Sequence, residues 1–209
     1  YVMEYYNNRI KVFNSSGAYL RSFGGHGTSC NRWQYARQFA IYDDKIYLAD
    51  TYAHKIKVLS LTGSCIDWTT LNYYYPHAIA VDSKYVYVGN TSKYIFIHER
   101  QRINRWNTYN AGSNLSYSWG MSLNSGGTKL LIADYNKNRM VEFKATGASF
   151  SGGGQAMLSY TQAGNTSYSS SNGYFRRPTD TGYDSSGNIY ALDLFNSRIQ
   201  KFNSGLSYQ

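Results

Sequence analysis

One sequence pattern recurs along the chain and constrains the fold more than any other feature. An apolar stretch begins at Tyr47 and ends in Asp50. A polar turn follows it, and then come Lys55 and a strand of alternating apolar residues. Related copies begin at positions 1, 87, 131 and 190, so the copies start 40 to 59 residues apart. A period of roughly 40–45 residues is typical of a four-stranded propeller blade rather than of a helical solenoid.

Short strands and turns can be recognised within each copy. An apolar strand such as 78–81 precedes an Asp/Ser/Gly turn, and an alternating strand such as 55–59 follows. The composition agrees, since 23 Tyr, 9 Phe and 4 Trp suit pleated strands, and only 2 Pro are present. We therefore predict an all-β chain, with residues 1–209 forming a single domain.

The last copy shows the pattern most clearly, in Pro178–Asp180, Asp184, Gly187–Tyr190, Asp193, Asn196–Ile199 and Phe202. This pattern resembles the NHL repeat. The resemblance implies a β-propeller of four-stranded antiparallel blades; we expect five blades, with six as the alternative. It covers nearly the whole chain except 147–177, a stretch rich in Ser, Gly, Tyr and Asn that we predict to be a long loop between blades.

The two terminal copies are incomplete. The first copy lacks its initial strand, and the last stops just after Gly205 and Leu206. We expect either that terminal strands combine in one blade or that the chain is a mature product or fragment. A unit of a longer tandem array or filament, with self-assembly, is a further alternative.

An acid or amide recurs in every copy, with a basic residue four or five places later in most of them. A group repeated in every blade is more easily explained as scaffold than as chemistry, so we predict that these residues brace turns. The acids and amides are Glu4, Asp50, Asn90, Asp134 and Asp193, and the basic residues are Arg9, Lys55, Arg139 and Arg198. Function is then expected in the loops that do not repeat.

The loops that lead into the innermost strands are basic and aromatic. Arginine beside aromatic rings suits stacking on bases or sugars and the capture of phosphate or carboxylate groups. The net charge of +9 also favours polyanionic partners. We predict ligand-binding residues at Arg32, Trp33, Arg37, Tyr75, His77, Trp119, Tyr174, Arg176 and Arg177.

Three functions are considered. We favour a non-enzymatic binding or assembly module, without cofactor, catalytic residues or metal, that binds protein, glycan or another polyanion. The first alternative is a metal-dependent enzyme, because the segment around His77 is similar to one in peptidylglycine amidating lyases. The equivalent positions in the other copies lie near Arg37, Gly120 and Thr179, none of which is a histidine. The second is single-stranded RNA binding, as the resemblance to the NHL domains of tripartite-motif proteins implies.

Further expectations concern the compartment. Cys30 and Cys65 fit either one disulfide or two inert thiols. Asn-x-Ser/Thr sites for glycosylation occur at Asn14, Asn90, Asn114 and Asn165. No apolar run approaches the roughly 20 residues of a membrane helix, so no membrane insertion is expected. We predict an extracellular or cell-surface protein.

Overall fold

The chain folds into antiparallel sheets that follow one another along the sequence. The computed structural model describes residues 1–71, 75–145, 157–164 and 168–209, which contain eighteen strands in five sheets. Each sheet is a meander in which consecutive strands pair. The all-β prediction is confirmed, and the five sheets give the chain a propeller-like architecture.

The strands are numbered in chain order. Sheet 1 contains β1 (Val2–Glu4), β2 (Arg9–Phe13) and β3 (Tyr19–Gly24). Sheet 2 contains β4 (Gln38–Tyr42), β5 (Lys45–Asp50), β6 (Lys55–Ser60) and β7 (Cys65–Thr70). Sheet 3 contains β8 (Ala78–Val81), β9 (Tyr85–Gly89), β10 (Tyr94–Glu99) and β11 (Arg102–Asn110).

Sheet 4 contains β12 (Ser118–Leu123), β13 (Lys129–Asp134), β14 (Arg139–Ala145) and β15 (Met157–Gly164). Sheet 5 contains β16 (Pro178–Tyr183), β17 (Ile189–Asp193) and β18 (Arg198–Phe202). Short 3-10 turns lie at Gly112–Asn114, Tyr135–Lys137 and Leu194–Asn196. Strand β15 falls within 147–177, so the prediction of a continuous loop there is wrong; residues 146–156 and 165–167 lie outside the described residues.

The repeat frame coincides with the strand register. Tyr47 pairs with Val58, Leu131 with Glu142, and Tyr190 with Lys201, so the start of each copy has the same place in its sheet. Asp/Asn turns close the hairpins; the Asp184 side chain, for example, accepts hydrogen bonds from the backbone N–H groups of Ser186 and Asn188. Such turns reverse the chain between adjacent strands.

The core consists of four apolar clusters, and each joins one sheet to the next. Ile10 of sheet 1 packs on Leu48 of sheet 2, and the other three pairs of consecutive sheets pack in the same way. We call the face that packs on the following sheet the forward face and the other the backward face. Because side chains alternate along a strand, both faces of a middle sheet are buried.

The first strands of sheets 2 to 5 lie side by side in series, and the Gln38 side chain bridges all four. Its side-chain Nε2 donates to the Met121 carbonyl (3.0 Å) and to Asp180 Oδ1 (3.2 Å). Its Oε1 accepts from the backbone N–H groups of Ile79 (2.8 Å) and Met121 (3.2 Å). One amide therefore ties β4, β8, β12 and β16 together. Beyond it lies a cavity of about 390 Å³.

Cys30 and Cys65 form a disulfide that ties the loop before β4 to the start of β7, which decides between the two alternatives left open for this pair. Asn14 is exposed and Asn114 half-buried, whereas Asn90 is buried with its amide oxygen engaged by Ser92, so a glycan on Asn90 does not suit the folded chain. Asn165 lies outside the described residues. Among the described residues, no helix is long and apolar enough to cross a membrane.

Candidate ligand-binding face

The recurring acids position the loops that lead into the first strand of each sheet. Asp50, Asp134 and Asp193 each accept a hydrogen bond from a loop backbone N–H group, at Gln34 (2.7 Å), Tyr117 (3.1 Å) and Arg176 (2.7 Å) respectively. A carboxylate is an effective acceptor for such orphan donors. These acids are structural braces: Asp134 and Asp193 make the predicted contacts across their own turns, to Arg139 and Arg198, and all three acids also brace a loop.

The ion pairs of these acids differ from the prediction in one sheet. Asp134 pairs with Arg139 (3.3 Å) and Asp193 with Arg198 (3.0 Å), as expected. In sheet 2, however, buried Asp50 pairs with buried Lys57 (2.7 Å), while Lys55 lies over the Trp68 ring. Lys57 extends through the core to the Ser29 carbonyl (2.9 Å), so this pair also fixes the loop before β4.

A second recurring contact fastens three loops, those before β4, β8 and β16, to the preceding sheet. Asn8, His54 and Asn138 have positive φ values of 51°, 55° and 51°, at the same position in their turns. Their side chains accept the backbone N–H groups of Tyr35, Tyr75 and Arg177 respectively. We call this contact the inter-sheet clasp. With the braces, it holds the loops and turns on one surface, which we call the loop face.

The centre of the loop face is a cluster of rings around Arg37. The Arg37 guanidinium lies between Tyr5 (4.9 Å) and Trp119 (4.4 Å). His77 stacks on Tyr117 at 5.0 Å between ring centroids, and Trp119 stacks on Tyr135 at 4.3 Å. We call Tyr5, Arg37, His77, Tyr117, Trp119 and Tyr135 the mouth cluster; it lies where β4, β8 and β12 begin.

His77 is buried and neutral within this cluster. Burial, reinforced by the nearby Arg37 charge, lowers the pKa of His77 to about 3. The side-chain atoms His77 Nδ1, Arg37 Nε, Ser118 Oγ and Thr179 Oγ1 are buried without a hydrogen-bond partner. Buried polar groups are normally paired, so the mouth has unused hydrogen-bonding capacity.

The strand register identifies the counterparts of His77. Gln38, Ala78, Gly120 and Asp180 each pair with corresponding residues of the next strand, so Arg37, His77, Trp119 and Thr179 precede them. The counterpart expected near Gly120 is therefore Trp119, which lies at the β-bulge between Ser118 and Gly120. No group of three or more His, Cys, Asp or Glu side chains suited to a metal occurs within the described residues.

A second concave site lies beside the mouth cluster. Tyr135, Tyr168, Arg176, Arg177 and Phe195 line a pocket of about 450 Å³, which we call the rim pocket. Arg177 lies over the Tyr135 ring (4.7 Å) and the Tyr168 ring (5.6 Å), and Arg176 lies near Phe195 (5.7 Å). Tyr135 belongs to both sites, so they form one continuous surface.

The positive charge of the rim pocket is not neutralised by an ion pair with any carboxylate in the described part of the chain. Arg176 and Arg177 form no ion pair with any carboxylate that the structure describes, and the same is true of Arg37. Arg177 Nη1 donates to the neutral Asn136 side chain (2.6 Å). Guanidinium groups that are held in place beside aromatic rings, without a carboxylate, suit an anionic ligand.

The predicted binding residues divide into those that meet on this surface and those that do not. Arg37, His77, Trp119, Arg176 and Arg177 meet as described, and exposed Tyr75 joins a row of rings through Tyr52 (5.4 Å). Trp33 is fully buried in the core between sheets 1 and 2, so its prediction as a ligand residue is wrong. The Arg32 side chain packs over Gly25 and Gly27. The backbone carbonyl of exposed Tyr174 accepts a hydrogen bond from Arg198 (3.0 Å).

Five ring residues of the mouth cluster and the rim pocket are outside the predicted set: Tyr5, Tyr117, Tyr135, Tyr168 and Phe195. Three of them occur in the turn directly after the recurring acid. That turn contains Tyr5 and Tyr6, Tyr52, Tyr135 and Phe195 in four of the copies, so the signal is present in the sequence.

Comparison with known proteins supports the fold only. No protein-family model matches the sequence, and a search among curated proteins gives no match. Among solved structures, the chain is similar to hydrazine synthase of Kuenenia stuttgartiensis, with a TM-score of 0.56 and 13% identity. The similarity covers 79% of this chain and 44% of that chain. At this identity the likeness concerns the arrangement of strands.

Proposed function

We propose that this chain is a non-enzymatic recognition module whose loop face binds an anionic partner, an acidic glycan or an acidic segment of a protein. The observation that favours this most is the rim pocket, in which two guanidinium groups lack carboxylate partners and aromatic rings flank them. Rings offer stacking surface, and guanidinium groups offer paired N–H donors to carboxylate, sulfate or phosphate.

The proposal also includes a more specific assignment of the fold. We take the five sheets as successive blades of an NHL-like β-propeller, because the repeat frame and the register agree from sheet to sheet. We also place the protein outside the cell or at its surface. The disulfide supports this location, since such bonds persist mainly in oxidising compartments.

Binding to a polyanion tests the proposal. A sulfated heparin oligosaccharide is titrated into the protein by calorimetry at low and moderate salt, with uncharged dextran as the blank. We expect salt-dependent binding to heparin and at least a tenfold loss of affinity in the double variant Arg176→Ala/Arg177→Ala, which corresponds to about 1.4 kcal/mol.

The matched control removes the same charge elsewhere. Arg21 and Arg105 lie on the outer strands β3 and β11, so Arg21→Ala/Arg105→Ala lowers the net charge equally without touching the rim pocket. Equal losses in the two double variants, or no heparin binding at low salt, would contradict the proposal. A single-stranded RNA oligonucleotide that binds more tightly than heparin would favour the RNA alternative.

A further inference from the structure

The forward face of sheet 5 is uncovered, although the same face is buried in every other sheet. One equivalent position shows this directly, since the side chains of Ile10, Ile56, Ile95 and Met140 are 0% exposed and that of Ile199 is 68% exposed. Tyr190 and Leu192 are exposed on the same face. A neighbouring set of exposed apolar side chains in a sheet built like four covered ones indicates an interaction surface.

The backward face of sheet 1 is uncovered as well, and there Val2 lies beside the charged side chains of Glu4 and Lys11. Val2 is 52% exposed, whereas its equivalents Leu48, Val88, Ile132 and Ala191 are all 0% exposed. Among the described residues, no apolar cluster joins sheet 5 to sheet 1. The molecule therefore presents one unused forward face and one unused backward face.

The turn between β17 and β18 of sheet 5 also has the backbone conformation of the inter-sheet clasp. Ser197 has a φ of 51° and occupies the position of Asn8, His54 and Asn138. Those three side chains each hold the loop of the following sheet, whereas the Ser197 hydroxyl holds no such loop among the residues described. The backbone conformation of the junction is thus present in the last sheet that the described residues form.

We infer that the forward face of sheet 5 binds the backward face of sheet 1 in a second copy of this chain. The four junctions within the molecule all pair a forward face with a backward face, and the proposed contact continues that series. A pair formed by two sheet 5 faces would place forward against forward, an arrangement that none of these junctions uses. The contact is head-to-tail, and it leaves one face of each kind free for further copies.

Light scattering and sedimentation at several protein concentrations test this contact. We expect the average mass of the wild type to rise with concentration, and Ile199→Glu and Val2→Glu each to remain monomeric. Both substitutions affect exposed side chains, so each variant should keep the wild-type circular dichroism. Ile66→Glu is the matched control, because Ile66 is similarly exposed but lies on the outer strand β7.

Mixing the two monomeric variants gives the decisive result. Val2→Glu keeps an intact sheet 5 face and Ile199→Glu keeps an intact sheet 1 face, so the mixture should form dimers and nothing larger. A Val2→Glu variant that still associates by itself would indicate a pair of sheet 5 faces and overturn the inference. A wild type that is monomeric at every concentration would overturn it as well, and so would equal loss of association in Ile66→Glu.

Discussion

His77 and Arg37 share the mouth cluster, and their charges are coupled. Burial and the Arg37 guanidinium both disfavour a second positive charge, and so the imidazole is neutral. A neutral imidazole packed between Tyr117 and Trp119 is a hydrogen-bonding group that adds nothing to the positive potential of the face. In this arrangement the arginines provide the positive charge of the loop face, and His77 provides an uncharged ring for packing.

The depressed pKa makes stability depend on pH. In the unfolded chain His77 titrates near 6.5 and in the folded chain near 3, so only the unfolded chain binds this proton between those values. Stability therefore falls as the pH drops through that window. We expect His77 to account for about 2 kcal/mol of unfolding free energy lost between pH 7 and pH 5.

Urea denaturation of the wild type and His77→Gln at both pH values measures this difference. His98, whose pKa burial lowers to about 4, is present in both proteins, so the comparison isolates His77. If both proteins lose the same free energy between pH 7 and pH 5, the assignment of a buried neutral His77 is wrong.

Trp33 and Trp119 show what sequence can and cannot predict about single residues. Trp33 lies in the loop before β4 and Trp119 at the start of β12, yet Trp33 fills the core and Trp119 forms part of the mouth cluster. The difference depends on Gly24, at which a Cβ would lie only 2.3 Å from the Trp33 ring. That close approach involves sheet 1 and the loop before sheet 2 together, so neither residue alone predicts it.

Among the elements, the inter-sheet clasp makes its own prediction. Asn8→Ala loses the bond from the Tyr35 N–H group and places alanine at positive φ, so we expect a loss of about 2 kcal/mol. Asn8→Gly should lose about 1 kcal/mol, because glycine adopts positive φ readily. Urea denaturation measures both.

Ser197→Ala is the control for this pair, because Ser197 has the same backbone conformation but holds no following loop in the described part of the chain. We expect a change within about 0.5 kcal/mol. A cost for Ser197→Ala as large as that for Asn8→Ala would show that the clasp contributes nothing specific.

The disulfide stabilises the loop that enters sheet 2. It closes a loop between residues 35 positions apart, for which chain entropy gives about 4 kcal/mol of stabilisation. We expect Cys30→Ser/Cys65→Ser to lower the unfolding free energy by that amount in urea denaturation. An unchanged denaturation midpoint would contradict it.

The strands were predictable wherever the repeat frame is clear. Copies beginning at Tyr47 and Leu131 have alternating strands and Asp/Asn turns, and the structure places their strands in that frame. Strand β15 was missed because its surroundings are rich in Ser and Gly and its partner β14 supplies the pairing. Strand pairing is a tertiary contact, so local composition predicted it poorly.

At the scale of the whole molecule, the sheets form a series in which each packs on the next. Middle sheets have two neighbours and the end sheets have one, so stability should vary along the chain. The number of sheets was predictable from the copies. The lack of packing between sheets 5 and 1 in the described residues was not predictable, because it shows only in the exposure of side chains such as Ile199 and Val2.

Amide hydrogen exchange of the monomeric Ile199→Glu variant measures this gradient. We expect β9 and β13, buried on both faces, to exchange more slowly than β17 and β18, which are covered on one. Comparable protection in β13 and β18 would indicate that the molecule opens as a single unit.

The inter-sheet clasp also has a direction, because an earlier turn always receives a later loop. Asn8 receives Tyr35, 27 residues on, and Asn138 receives Arg177, 39 residues on. A ribosome produces the receiving residue first, so each sheet can dock onto a finished surface as it emerges during synthesis. Nascent chains arrested after successive sheets would then gain protease resistance stepwise, from the amino-terminal end onward.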